Sequence, residues 1–156
     1  MTTVRQFTCN DFFRFNFIEL SDCPRSLTYC LGEYLEHLAE YPEYFLVAES
    51  PSGDLMGYIM GRTEGDDEKK HGHISLILCA PSYRRIGIAR HLISTFEKIL
   101  EQKQCCFIDL HVQVSNVIAM TLYHTLGFVI YQTVFGYYWP ETDNDAYILR
   151  KGLFSD

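Results

Sequence analysis

Between Cys79 and Arg90 the chain reads CAPSYRRIGIAR, with Arg84 and Arg85 just ahead of Gly87 and Ala89. An apolar run, HISLIL, precedes this stretch and an amphipathic one, HLISTFEKIL, follows it, so a strand, a tight turn and a helix start meet here. Backbone amides at such a turn, backed by the positive end of a helix dipole, form an anion site. Gly87 and Ala89 suit it because a larger side chain would block a phosphate from the backbone, and the two arginines add charge at the rim. The spacing alone fits an ordinary loop with solvated arginines equally well. A second cluster, His71-Gly72-His73, has the look of half a metal site, but no further group of His, Cys or carboxylates stands at a useful spacing, and a metal is not expected.

The elements that must hold these residues follow from periodicity and punctuation. TTVRQFT alternates like an edge strand, and Asn10 or Asp11 is expected to cap a helix through FFRFNFIEL. A loop, SDCPRSLTYC, leads to a helical EYLEHLAE that stops before Pro42. YFLVAES and LMGYIMGR read as antiparallel strands joined at PSGD. An acidic loop then precedes the strand HISLILCA, a helix from Gly87 to Gln102, the strand CCFIDLHV and a helix NVIAMTLYHTL. That last helix ends at Gly127, a left-handed C-cap, and the strands FVIYQTV and AYILRK close the sheet. The expected order is β-α-α-β-β-β-α-β-α-β-β.

Composition bounds what such a chain does. At 156 residues with 47% hydrophobic content, one core and one domain over 1–156 are expected. A net charge of −7, with acidic residues gathered in Glu64–Glu68, argues against nucleic acid or an anionic membrane as partner. No apolar run reaches the roughly 18 residues of a membrane span, and the N-terminus lacks a signal pattern, so a soluble intracellular protein is expected. The six cysteines form no C-x-x-C pair and sit mostly in apolar company, as buried thiols do.

LILCAPSYRRIGIARHLI resembles the coenzyme A signature R/Q-x-x-G-x-G/A of the GCN5-related N-acetyltransferase (GNAT) superfamily, and VSNVIAMTLYHTLGF resembles its second segment, in which an Asn opens a helix and a Tyr precedes a Leu-Gly-Phe end. FTCNDFFRFNFIEL, YPEYFLVAE, LMGYIMG, HGHISL and YYWPETDNDAYILRK extend the likeness over nearly the whole chain, to the family of catalytic subunits of the N-terminal acetyltransferase B complex. The resemblance implies an α/β (α+β) fold with a mixed, mostly antiparallel sheet and about four helices, and transfer of acetyl from acetyl-CoA to a free α-amine. It implies that Leu78 and Cys79 hold the pantetheine arm, that Arg84, Arg85, Gly87, Ile88 and Ala89 surround the pyrophosphate, and that Asn116 meets the pantetheine, though a helix cap explains Asn116 as well. Tyr123 corresponds to the tyrosine that protonates the departing thiolate, with a core tyrosine as the alternative. His73 would relay a proton through water or bond the peptide backbone, or simply pack at the strand entry, and no carboxylate stands out as a base.

On the substrate side the resemblance implies that Tyr29, Tyr137 and Tyr138 enclose an initiator methionine, rings lining the pocket and hydroxyls bonding peptide groups. His73 or Ser75 would bond an acidic or amide second side chain, giving Met-Asp, Met-Glu, Met-Asn and Met-Gln termini as substrates. Three departures bear on this: Leu27 and Gly136 stand where the family usually has acidic residues, and Ser75 where it has threonine. Alternatives are a GNAT enzyme for lysine or small amines, and a coenzyme A-binding subunit of weak activity. Phe12, Phe13, Phe15, Phe17 and Ile18 spread round more of a helix than one core stripe covers. By resemblance that surplus meets a large helical-repeat auxiliary subunit, which would bring the cytoplasmic enzyme to ribosomes indirectly.

Overall fold

Burial along Phe107–Gln113 alternates strictly: Ile108, Leu110 and Val112 are buried while Phe107, Asp109, His111 and Gln113 keep partial exposure. One face of this strand is core and the other is left for polar side chains. The same alternation opens the strand His71–Cys79, where Gly72, Ile74 and Leu76 point inward. These patterns come from a computed structural model that describes residues 2–17, 31–140 and 143–154.

The strands are β1 (Thr3–Gln6), β2 (Phe45–Glu49), β3 (Leu55–Glu64), β4 (His71–Cys79), β5 (Phe107–Gln113), β6 (Val129–Val134) and β7 (Ala146–Gly152). The helices are α1 (Leu31–Glu40), α2 (Ile88–Gln102) and α3 (Val117–Thr125), and a 3-10 helix spans Cys9–Phe17. Strand order in the mixed seven-stranded sheet is β1-β2-β3-β4-β5-β7-β6. The expected element order is therefore observed, while several bounds shift: α1 begins at Leu31 rather than Glu33, and β5 at Phe107 rather than Cys105. The first helix is a 3-10 helix, and it starts at Cys9, one residue before the expected cap. Asp11 does not cap its start: its carboxylate reaches back and accepts from the Thr8 amide at 2.8 Å and from the Thr8 hydroxyl at 3.2 Å. β4 also begins at His71, two residues before the expected start, because pairing with β5 includes His71↔Phe107.

By contact density the chain forms two compact units, Met1–Arg62 with Ser75–Ile99 and Thr63–Ile74 with Leu100–Asp156. In the first, β1, β2 and β3 pair antiparallel, and the β2–β3 turn is made by Gly53 at φ +90°. Its core gathers Phe7, Tyr34, Phe45, Val47, Leu55 and Tyr58. Phe7 stacks on Phe45 at 4.2 Å, and the hydroxyls of Tyr34 and Tyr58 bond each other at 2.8 Å, which satisfies both inside the apolar layer. Phe12 packs against this core, whereas Phe13 is 86% exposed. Of the rest of the expected partner surface, Phe15 and Phe17 continue the 3-10 helix and Ile18 lies outside the described residues.

In the second unit β4 and β5 run parallel, and β5–β7 and β6–β7 are antiparallel. Gly72 is required here: a Cβ would lie 2.2 Å from Leu100 Cδ1, so any larger residue displaces the leucine that covers β4. Asn116 caps α3, its Oδ1 accepting from the Ala119 amide at 3.1 Å. Gly127 follows α3 at φ +94°, as expected of a left-handed C-cap. No helix among the described residues is long and apolar enough to cross a membrane. The described cysteines are free thiols: Cys105 is buried, Cys79 and Cys106 are half-buried, and Cys9 is exposed; Cys23 and Cys30 lie outside the described residues.

Candidate functional site

In the first unit the end of β4 passes through a short 3-10 turn, Pro81–Tyr83, to Arg84 and then into α2. Arg85 and Gly87 both adopt positive φ, +63° and +89°, and residues 84–87 are all exposed. No atom lies within 4 Å of a Cβ built on Gly87, so open space faces this turn directly. Behind it the 15-residue α2 begins at Ile88, which is buried, and the His91 amide makes an early helical bond to the Gly87 carbonyl. The first-turn amides before it lack that option and are disposed to meet an anion. This is a cradle suited to a pyrophosphate.

A residue that sequence reasoning passed over sets the cradle's position. A Cβ on Gly57 of β3 would lie 2.7 Å from the Leu78 carbonyl, 3.2 Å from Ile88 Cγ2 and 3.3 Å from Cys79 Cα. Only glycine lets β4 and the start of α2 come this close, and its signal was a glycine inside an otherwise apolar strand, LMGYIM. Arg84 Nε donates to the Cys79 carbonyl at 3.4 Å, folding the side chain over the strand end. Burial pushes the Cys79 thiol up to about 11, against the opposing influence of Arg84 and the Ala89 backbone. Cys79 is thus a protonated thiol at neutral pH, and its contribution is its backbone.

Ser75 accepts a hydrogen bond from Arg62 Nη1 at 3.3 Å and lines, with Glu33, Glu36, His37 and Arg62, an open cavity of about 210 Å³. Burial lowers the His37 pKa, and its Nε2 is enclosed without a hydrogen-bond partner among the described residues. Arg62 was not singled out from the sequence, where an arginine at a strand end reads as solvated.

In the second unit Tyr123 is 7% exposed and meets Phe128 edge-on, with centroids 5.7 Å apart. Asn116 carries the cap described above, so its carbonyl oxygen is engaged. On the polar face of β4 and β5, His73 Nδ1 lies 2.7 Å from Asp109 Oδ1. The other Asp109 oxygen is 3.7 Å from His71 Nε2, which is also 3.4 Å from Glu64. His111 meets the His73 ring edge-on at 5.5 Å and stacks flat on Tyr137 at 4.3 Å. Tyr137 and Tyr138 do not share one environment: Tyr137 is 48% exposed, Tyr138 is buried, and the rings meet at 89°. Gly136 sits at φ +70°, with its amide donating to Asp145 Oδ1 at 2.9 Å, a backbone shape that glycine adopts without strain.

His73 therefore has a carboxylate partner, Asp109, which the sequence reading did not single out. Asp109 and His111 were missed although FIDLHV shows the signal, two polar residues on one side of an apolar alternation. Tyr29 and Leu27 lie outside the described residues. Among the described residues no group of three or more His, Cys, Asp or Glu is arranged to hold a metal ion.

Comparison with known proteins extends this geometry. The chain matches the acetyltransferase (GNAT) family over residues 7–128. It is 40% identical over 157 residues to the N-terminal acetyltransferase B complex catalytic subunit NAA20 of Arabidopsis thaliana, covering 100% of this chain and 88% of that one. Its fold is similar, at TM-score 0.84 and 32% identity, to Chaetomium thermophilum Naa20 in complex with a bisubstrate analogue, over 96% of this chain and 86% of that chain. A NatB acetyltransferase complex bound to CoA and MES matches at TM-score 0.86 and 32% identity, over 97% of this chain and 99% of that one. The chain belongs to the GNAT acetyltransferase family and, within it, to the family of N-terminal acetyltransferase B catalytic subunits.

Proposed function

We propose that this chain transfers acetyl from acetyl-CoA to the α-amine of polypeptides beginning Met-Asp, Met-Glu, Met-Asn or Met-Gln, as the catalytic subunit of a two-chain complex and as one acetyltransferase domain over residues 1–156. The observation that carries the cofactor half is the open turn at Gly87 ahead of α2. The similarity to Naa20 proteins, one of them solved with a bisubstrate analogue, supports the choice of acceptor.

Bound acetyl-CoA supplies an acyl carbon activated as a thioester. Amides at Gly87, Ile88 and Ala89, with Arg84 and Arg85 at the rim, take the pyrophosphate charge. Backbone groups of Leu78 and Cys79 bond the pantetheine arm and Asn116 offers its side-chain amide. The amine must lose a proton before its nitrogen attacks; as the N–C bond forms and the C–S bond breaks, the leaving sulfur takes a proton from the Tyr123 hydroxyl. His73 serves as the proton acceptor on the amine side. Tyr29, Tyr137 and Tyr138 receive the methionine, and His73 or Ser75 bonds the second side chain.

The exposed Phe13 supports a second chain docking beside the N-terminal helix, and the family resemblance makes that chain a helical-repeat auxiliary subunit through which a cytoplasmic enzyme meets ribosomes. Mass spectrometry of matched peptides beginning Met-Asp, Met-Glu or Ser, and of a blocked peptide with an internal lysine, tests the reading. Acetylation confined to the α-amine of the Met-acidic peptides is expected. Preferential modification of the internal lysine would replace it with a lysine acetyltransferase.

A further inference from the structure

Four side chains outside the coenzyme turn converge on the polar face of the second unit, and the reaction so far uses only one of them as a proton carrier. His73 and Asp109 are direct partners in the parallel β4–β5 register, so backbone pairing brings their side chains opposite each other on one face. Both are mostly enclosed, at 12% and 13% side-chain exposure, and their atoms meet at 2.7 Å. An ionised carboxylate only accepts hydrogen bonds, so opposite one the tautomer that completes this bond carries its proton on Nδ1 of His73. In the neutral ring that leaves Nε2 as the lone-pair nitrogen. His111 closes against the ring at 5.5 Å and is itself held flat on Tyr137 at 4.3 Å, which restrains rotation of the imidazole out of this pose.

We propose that Asp109 is a positioning residue for the transfer reaction: it holds His73 in the tautomer whose Nε2 accepts the proton leaving the substrate amine. This rests on the acetyltransferase reading above. The ammonium gives one proton to His73 Nε2, which returns it to solvent. After the N–C bond has formed the nitrogen loses its second proton to solvent, and Tyr123, having given its proton to the leaving sulfur, takes one back from solvent; of the two protons lost by nitrogen, the net balance leaves one on sulfur and one released. Among the described residues, this pair also has as charged and titratable neighbours His71, whose Nε2 is 3.7 Å from Asp109, and Glu64, 3.4 Å from that same nitrogen. On β7, Arg150 registers with Asp109, yet its guanidinium sits over the Phe107 and Tyr131 rings at 3.9 and 3.6 Å. Asp109 is thus placed to bias both His71 and His73, and the short bond goes to His73.

The test uses the full chain labelled at histidine nitrogen, read by imidazole NMR above the histidine titration range, alongside peptide kinetics. Wild type is expected to show His73 protonated at Nδ1. Asp109→Asn, nearly isosteric, should lose that tautomer and lower kcat at least about 10-fold while leaving KM for the peptide little changed, since a positioned base contributes on the order of 10²–10⁴. In a His73→Gln background the same substitution should cost nothing further, whereas a merely structural aspartate would cost as much in either background. A wild-type His73 protonated at Nε2, or equal losses in both backgrounds, would overturn the proposal. Should Asp109→Asn fail to fold, the wild-type tautomer and the rate of His73→Gln still decide it. Failure of wild type to acetylate any N-terminal peptide would instead defeat the reaction reading, and the tautomer would then judge the clamp by itself.

Discussion

Gly57 and Leu78 approach so closely that a single added methyl on Gly57 would lie 2.7 Å from the Leu78 carbonyl oxygen. That contact sets how near β3 runs to the end of β4, and with it where Cys79 and the start of α2 present their backbone. Gly57→Ala is expected to cost about 1–3 kcal/mol, the range for overpacking a filled interior, and to weaken acetyl-CoA binding as well. Denaturant unfolding and calorimetry of acetyl-CoA binding measure the two effects. A variant as stable and as tight-binding as wild type would show that the strands tolerate separation.

Gly87 gives the complementary case, because no atom crowds its Cβ position and only its φ of +89° constrains it. Gly87→Ala should cost about 1–2 kcal/mol from the left-handed backbone alone. Gly87→Glu should abolish acetyl-CoA binding by putting bulk and negative charge where the pyrophosphate belongs. Calorimetry on both variants separates strain from occlusion, and unchanged affinity in Gly87→Glu would remove the turn from the cofactor site.

Tyr123→Phe is expected to lower turnover by roughly 10²-fold while acetyl-CoA affinity stays near wild type. The ring's edge-on contact with Phe128 survives the substitution, so stability should change little. Near wild-type turnover would make Tyr123 a core tyrosine.

Stability should fall in acid through Asp11. Burial by itself would raise its carboxyl pKa, but hydrogen bonds from Arg5, Thr8 and Arg14 hold it well below the usual carboxylate range. A carboxyl depressed in the folded state contributes stability above its unfolded pKa, lost progressively as pH falls towards the folded value. His37, lowered by burial, acts in the same sense: the folded chain favours its neutral form, so stability falls as pH drops through the ordinary histidine range. Asp11→Ala should cost about 3 kcal/mol at neutral pH, because two guanidinium groups lose their buried partner, and should flatten the acid part of the profile. Unfolding midpoints against pH for both proteins check this, and parallel profiles would contradict it.

Local patterns made most of this fold legible. Alternating runs marked β4 and β5, Gly127 marked the end of α3, and RRIGIA marked the turn ahead of α2. What escaped was long-range. Asp11 looked like a helix cap because the ion pair it makes with Arg5 belongs to a network completed only by β1–β2 pairing, which brings Glu49 onto Arg5. Asp109 had no visible partner because His73 lies 36 residues away in sequence and meets it only through parallel register. Tyr137 and Tyr138 read as equivalent, since neighbouring residues in a chain give no hint that one stacks on His111 and the other is buried.

Kinetics on matched peptides beginning Met-Asp and Met-Leu, with the auxiliary subunit present, decide whether the site reads the second residue. A site that bonds a polar second side chain leaves its donors unpaired opposite leucine, which costs about 1–3 kcal/mol for each buried polar group so stranded. Met-Asp is therefore expected to show a kcat/KM at least about 10-fold above Met-Leu. Equal efficiency on the two peptides would contradict it.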